Sequence, residues 1–285
     1  MIVHLIDGTY ELFRHFYGAR RYNEGEDKPF GAVLGVLNTV LQLVETGGTH
    51  DGVATDHVIE SFRNDLWPGY KTGEGIEPAL WSQFRPLEEG LAAMGVAVWP
   101  MVELEADDGL ASAAHLAAAD ARVKQVWIWT PDKDLAQCVV ADRVIQVERE
   151  RGPNRQMGVK MRNADGVVAK FGVASPLIPD YLALVGDSAD GYPGIDGIGA
   201  KGAAKLIAKY GAIEQFPPEA LTSENREAAL LFKRLAILRT DAPLFRDVDE
   251  LRWRGPTAAF EAWASQTGDR RIVERAKQAQ MAAPA

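Results

Sequence analysis

The chain has 285 residues, 47% of them hydrophobic, a single cysteine and a formal net charge of −9. That length and apolar share support a large core in one or two domains and exclude a small scaffold held together by staples. Cys138 alone excludes an internal disulfide and reads as a packed thiol in a reducing compartment.

Short β-rich runs at residues 2–6, 52–55, 96–99, 125–130 and 143–148 alternate with helical stretches near 32–46, 79–94, 106–121 and 133–140. That alternation predicts an α/β fold, a parallel sheet covered by helices, with ligands beyond the carboxyl ends of the strands. Residues 149–162 carry Arg149, Arg151, Arg155, Lys160 and Arg162 among Gly, Pro and Asn, a basic hairpin or loop able to touch duplex. From residue 163 only helices and turns are expected: 176–185 ending at Gly186, a helix ending at Gly211, another over 223–239, and one or two amphipathic helices over 257–279. No apolar run reaches about 18 residues and the amino terminus has no cleavable leader pattern, so the sequence reads as a cytoplasmic protein without a membrane partner.

Acidic residues recur at one topological edge. Asp7, Asp56 and Asp132 come at or just after the ends of β runs, Glu105, Asp107 and Asp108 open the Ala-rich helix, and Asp134, Asp187 and Asp190 follow in turns. Any one of them could be a helix cap or a first-turn acid. Recurrence in successive units argues instead for convergence, and so many carboxylates in one place repel unless cations sit among them. The expectation is a polynuclear divalent-metal site acting on phosphate. These nine acids match the whole negative excess, so the net charge does not exclude nucleic acid. Among the histidines, His4 and His115 fit apolar patterns, while His57 adjoins Asp56 and is the one placed to touch the site.

PGIDGIG forms a tight turn into the helix that ends at Gly211. Gly194, Gly197 and Gly199 let the backbone come close to a ligand, the helix-start amides suit a phosphate, and Lys201, Lys205 and Lys209 share one face. The ordinary alternative is a solvated helix face. The functional reading is a helix-hairpin-helix that grips a nucleic-acid backbone without reading bases.

Five motifs, IDGTYELFR, SFRNDLWPGYKTG, ELEADDGLAS, TPDKDLAQ and GDSADGYPGIDGIGAKGAAKLI, resemble in order and spacing the 5′ nuclease superfamily. The likeness covers roughly residues 1–245 and is strongest to the amino-terminal 5′ nuclease domain of bacterial DNA polymerase I and its stand-alone bacterial and phage relatives. It implies a PIN-like nuclease core at 1–165, a helix-three-turn-helix (helix-hairpin-helix) DNA-binding region with C-terminal helices at 166–275, and a tail at 276–285. It further implies Mg²⁺, two ions or more with Mn²⁺ as substitute, and K⁺ at the glycine hairpin. Asp7, Asp56, Glu105, Asp107 and Asp108 would form a first metal site, and Asp132, Asp134, Asp187 and Asp190 a second, some of them through water.

By the same resemblance Lys71 and Arg63, at the start of the family's helical arch, would stabilise charge on the phosphate, with Tyr70 on the DNA. Phe13, Arg14 and Phe16 would either steer terminal nucleotides or pack in the core. The implied activity is in-line hydrolysis of DNA at 5′ flaps, nicks and RNA-primed ends by a monomeric, stand-alone 5′-3′ exonuclease and flap endonuclease. A PIN-type ribonuclease and a catalytically silent branched-DNA-binding protein are the alternatives. Thr55, Glu74, Gly191 and Gly202 stand where relatives commonly have an aromatic, a base, Asn and Thr, and Glu74 with Glu77 makes the arch less basic.

Overall fold

The computed structural model describes residues 1–20, 28–151 and 157–282, so Arg155 lies outside the described residues. Six strands, β1 (Ile2–Asp7), β2 (His50–Asp56), β3 (Ala97–Met101), β4 (Gln125–Trp129), β5 (Val144–Arg151) and β6 (Met157–Arg162), form one sheet in the order β3-β2-β1-β4-β5-β6. The first five are parallel, with Asp7 beside Ala54, Thr55 beside Pro100 and Ile6 beside Trp129, so their carboxyl ends share one edge. The basic segment becomes the β5–β6 hairpin, antiparallel with Gln146 opposite Arg162. Of the two readings of that segment, hairpin or loop, the pairing is that of a hairpin, since a handful of residues between two strands can reverse the chain but cannot make a parallel crossover.

The helices are α1 (Gly8–Arg20), α2 (Gly31–Glu45), α3 (Phe62–Leu66), α4 (Pro78–Trp81), α5 (Phe84–Ala93), α6 (Ala106–Ala119), α7 (Ala164–Phe171), α8 (Ile178–Val185), α9 (Ala200–Tyr210), α10 (Ser223–Ala236), α11 (Phe260–Thr267) and α12 (Arg271–Ala282). α1 departs from expectation, since in GTYELFRHFY the aromatic stripe of Tyr10, Phe13 and Tyr17 is interleaved with Glu11, Arg14 and His15. The helix expected over 79–94 divides at Ser82 and Gln83 into α4 and α5. Gln83 is withdrawn into the structure, where its Oε1 accepts from the amides of Ala32 and Val33 at the start of α2. The helix expected over 133–140 tightens to a 3-10 turn, Asp134–Cys138.

One face of the sheet buries Ile6, Val53 and Trp129 beneath α1, α2, α5, α11 and α12. The other buries Val3, Leu5, Val126 and Ile128 beneath the Ala-rich α6, whose small side chains permit close packing on the strands. A third core, with Phe171, Leu182, Ile207 and Phe232, unites α7 to α10 and also takes in Tyr70 and Ala136. Each fully buried leucine, such as Leu5, Leu37 or Leu110, contributes about 1.5–3 kcal/mol by leaving water. Among the described residues no single helix is long and apolar enough to cross a membrane.

Candidate metal centre and nucleic-acid interface

The parallel strands deliver their acids to one edge, and local backbone amides and hydroxyls hold them there. Asp7 Oδ1 accepts from the Tyr10 amide at 2.8 Å and its Oδ2 from Thr130 Oγ1 at 2.9 Å. Asp56 Oδ1 accepts from the Ala106 amide at the start of α6 at 2.8 Å, and the Asp56 amide donates to Thr9 Oγ1 at 2.8 Å. Asp132 Oδ1 accepts from the Asp134 amide at 2.9 Å. Burial raises the carboxyl of Asp7 above the ordinary range, and the charges of Asp56 and Asp132 raise it further. Burial likewise lifts Asp107 well up, reinforced by Asp132 and Asp7, and Asp134, reinforced by Asp132, Asp190 and Asp187. The two groups of acids are therefore contiguous, and Asp107 and Asp132 lie where they meet.

Asp134, Asp187 and Asp190 each offer a carboxylate oxygen, all within 4.8 Å of one another and all buried. Asp187 Oδ1 accepts from the Ala189 amide at 3.0 Å and its Oδ2 pairs with Lys133 Nζ at 2.7 Å. Asp190 Oδ1 lies 3.0 Å from Lys71 Nζ. Asp134 Oδ1 is buried without a hydrogen-bond partner. An orphaned anionic oxygen among other carboxylates is costly unless a cation takes it, and an all-oxygen donor set suits a hard divalent ion. The residues present fit the implied metal.

Five expected site residues are corrected: Arg63, Asp108 and Tyr70, and, below, Glu105 and Gly194. Arg63 is 1% exposed and cannot meet a phosphate. Its guanidinium binds Glu105 and Asp108 and donates to the carbonyls of Leu235 and Ile237. Asp108 is not a metal ligand, since Oδ1 accepts from Arg63 and the Arg239 amide while Oδ2 accepts from Arg63 and the Glu105 amide. Tyr70, 4% exposed, packs in the helical core with its hydroxyl 3.3 Å from Glu105 Oε2, so it cannot stack on DNA.

Glu105 gathers four donors, Ser61 Oγ and Arg63 on Oε1 and Tyr70 and Lys71 on Oε2. Burial opposes its ionisation, yet Lys71 and Arg63 together hold its carboxyl below the ordinary range. His57 turns away from the acids and binds Glu88 Oε2 at 2.7 Å, with Thr55 Oγ1 on the other oxygen of the same carboxylate. Phe16 is in the core and Phe13 packs against it.

Lys71 stays partly open, with Nζ 2.7 Å from Glu105 and 3.0 Å from Asp190. Its segment docks on the second acidic turn, because the Lys71 amide donates to Asp190 O at 3.0 Å and Trp67 Nε1 to Gly191 O at 3.0 Å. Gly191 has φ +83°, and a Cβ there would lie 2.0 Å from Gly69 O, so the departure from Asn accompanies a backbone contact with no room for a side chain.

In the glycine hairpin, Gly194 faces the chain's own backbone, a Cβ falling 2.4 Å from the Gly186 amide, so its role is closure of the turn and not approach to a ligand. Gly197 and Gly199 border open space, and Lys201, Lys205 and Lys209 are all exposed along α9.

Sequence reading missed the groups that orient the acids: Thr9, Thr130, Ser61 and Lys133. Thr130 and Lys133 lie within TPDKD, where a hydroxyl two residues before one acid and a lysine between two acids are a usable signal. Thr9 and Ser61 reach partners 47 and 44 residues away, and nothing local marks them.

An acid-edged α/β domain joined through its acidic cluster to a helical domain defines the class. Residues 2–172 match the profile of the 5′-3′ exonuclease N-terminal, resolvase-like domain, and residues 173–259 that of the 5′-3′ exonuclease C-terminal SAM fold. The chain belongs to the 5′-3′ exonuclease family. It is 34% identical over 266 residues to DNA polymerase I of Pseudomonas aeruginosa, a match covering 87% of this chain and 28% of that protein. It is 28% identical over 263 residues to the 5′-3′ exonuclease of Aquifex aeolicus, covering 89% of this chain and 87% of that one. The chain thus spans little more than a quarter of the polymerase relative.

Among solved structures, the T5 D15 protein co-crystallised with metal ions superposes with a TM-score of 0.62 at 19% identity, covering 99% of both chains. The catalytic core of Rad2 in complex with DNA substrate gives 0.59 at 13% identity, covering 97% of this chain and 91% of that one. These likenesses establish the fold.

Proposed function

We propose that this chain is a Mg²⁺-dependent 5′-3′ exonuclease and flap endonuclease that hydrolyses phosphodiester bonds near the 5′ ends of nicked, flapped or RNA-primed duplex DNA. The observation that carries the reading is the buried, unpartnered Asp134 Oδ1 within reach of Asp187 and Asp190. Asp134, Asp187, Asp190 and Asp132 would hold one ion, and Asp7, Asp56 and Asp107 another, with Mn²⁺ able to replace Mg²⁺. Ions bound there supply acidity to a water and countercharge to the attacking and leaving oxygens.

The remaining work falls to the chain's own residues. Lys71 is kept charged by Glu105 and Asp190, which outweigh the opposing effect of burial, and donates to the phosphate as its charge develops. Glu105, expected among the first-site ligands, instead orients Lys71 from the protein side, a reading supported by the donors from Ser61, Arg63, Tyr70 and Lys71 on its two oxygens. The α9 amino terminus and Lys201, Lys205 and Lys209 hold the duplex backbone, with K⁺ at the Gly197 turn. Products carry a 5′ phosphate and a 3′ hydroxyl. The SAM-fold region and the T5 and Rad2 likenesses support DNA as the substrate over RNA.

The test is incubation with Mg²⁺ and 5′-labelled flap, nicked duplex, single-stranded RNA and RNA–DNA hybrid. Cleavage of the flap and nick is expected, and cleavage of single-stranded RNA alone would overturn the reading. Each α9 lysine changed to alanine should reduce the slope of log affinity against log salt by about one.

A further inference from the structure

The segment between Lys71 and Trp81 carries Glu74 and Glu77 and no lysine or arginine. Lys71 itself is engaged by Glu105 and Asp190. Residues 72–80 therefore bring no cation of their own to a phosphate backbone, and Arg85, exposed on α5, is the first basic residue after them.

What the surface offers at this point is aromatic. Trp81, the last residue of α4, is 42% exposed. Its ring sits 4.9 Å from that of buried Phe84, at an interplanar angle of 38°. Phe84 meets Phe13 edge-on at 6.1 Å, and Phe13 meets Tyr17, 43% exposed, at 6.2 Å.

Isolated exposed apolar residues are ordinary. This row is seated on a buried ring and is continuous with the acidic cluster. α1 starts directly after Asp7, the Tyr10 amide binds Asp7, and Tyr10, Phe13 and Tyr17 follow at helical spacing on one stripe. From Tyr10 to Tyr17 the helix rises about 10 Å, roughly three base steps of 3.4 Å.

We propose that Trp81, braced by Phe84 and with Tyr17 at the far end of the row, stacks on the unpaired bases of a single DNA strand leaving the acidic cluster. This chain then grips that strand by its bases. The proposal rests on the nuclease reading for the identity of the strand. Stacking tolerates any sequence, because every base presents a π face.

The experiment measures binding of a flapped duplex by fluorescence anisotropy, with Ca²⁺ in place of Mg²⁺. The flap either carries bases or has the same length of abasic spacer. The wild-type chain should prefer the base-bearing flap on the order of tenfold. Trp81→Ala should bring that ratio near one, Trp81→Phe should keep most of it, and the ratio should change little with salt. Comparing two ligands on one protein removes any general loss of folded material from the result. A wild-type ratio of one, or a ratio unchanged in Trp81→Ala, overturns the platform. A wild type that keeps the base preference and cuts nothing with Mg²⁺ overturns the nuclease reading and leaves the platform standing.

Discussion

Arg63 grips Asp108 with both arms of its guanidinium, Nη1 to Oδ2 at 2.7 Å and Nη2 to Oδ1 at 2.8 Å, and the pair is sealed from solvent. The same guanidinium donates to Leu235 O at 2.7 Å and Ile237 O at 3.1 Å, so one side chain fastens the end of α10 to the start of α6. A residue that reads as catalytic by its motif thus joins the helical region to the sheet.

Arg63→Ala should cost about 3–5 kcal/mol in urea unfolding, because Asp108 and Glu105 are left buried with less compensation. Arg63→Lys should lose much of the same, since an ammonium cannot make the two-pronged pair. Lys71→Ala should show the opposite split, with near-normal stability and kcat reduced about a hundredfold or more. Equal kcat losses at equal stability would remove the distinction.

Asp134→Asn should stabilise the metal-free chain and reduce its response to Mg²⁺. Burial and the charges of Asp132, Asp190 and Asp187 raise the Asp134 carboxyl, so the stability of its protonated form is lost as pH rises. In EDTA at pH 8 the variant should melt several degrees higher, about 2–4 °C for each kcal/mol recovered. Saturating Mg²⁺ should raise the wild-type midpoint and raise that of Asp134→Asn by less, the Asp7, Asp56 and Asp107 site being left to it. A variant that still gains the wild-type increment would place the ion elsewhere.

Gly191→Ala and Gly191→Asn should behave alike. Asparagine tolerates φ +83°, yet either residue places a Cβ 2.0 Å from Gly69 O and must separate the Lys71 segment from the Asp190 turn. Both should lower kcat/KM by at least about tenfold, the scale on which small misplacements act. Wild-type kinetics for Gly191→Asn would show that the contact yields.

Asp51, fully buried near the start of β2, has no hydrogen-bond partner for either carboxylate oxygen, and burial pushes its carboxyl up to about 7. The folded value exceeds the unfolded one. Stability from the protonated form is therefore complete below about pH 4 and is lost as pH rises through about 7. Asp51→Asn, a fixed copy of the neutral form, should match wild type near pH 4 and exceed it by a few kcal/mol at pH 8, since each tenfold gain in proton affinity on folding is worth about 1.4 kcal/mol. Urea midpoints at the two pH values measure this. His4 acts at the acid side: burial, then Arg149, lower its imidazole to about 4, so its contribution is whole above about pH 6.5 and is lost on acidification toward 4.

Strand positions were legible because β-branched runs slipped by one residue would turn their apolar faces to water, and the acids at their ends followed from that periodicity. α1 was not, and the β5–β6 pairing was legible only as one of two readings, hairpin or loop. In α1 the aromatic stripe of Tyr10, Phe13 and Tyr17 is interleaved with Glu11, Arg14 and His15 and the helix is set by packing on α2, and the direction of β6 depends on a connection too short to cross over. In the site, the carboxylates could be read from their recurrence, while the hydroxyls and amides that aim them come from residues tens of positions away.

Residue types and order alone determined that this chain concentrates acids at one edge of an α/β sheet and follows them with a glycine hairpin and a lysine-faced helix. Only the tertiary structure decided which acids are open to a cation and which are spent on protein donors. It separated Asp134, orphaned beside Asp187 and Asp190, from Asp108, saturated by Arg63 and two amides. The physical reason is that a carboxylate's role depends on what fills its lone pairs, and in this fold those donors arrive from segments that sequence spacing does not connect.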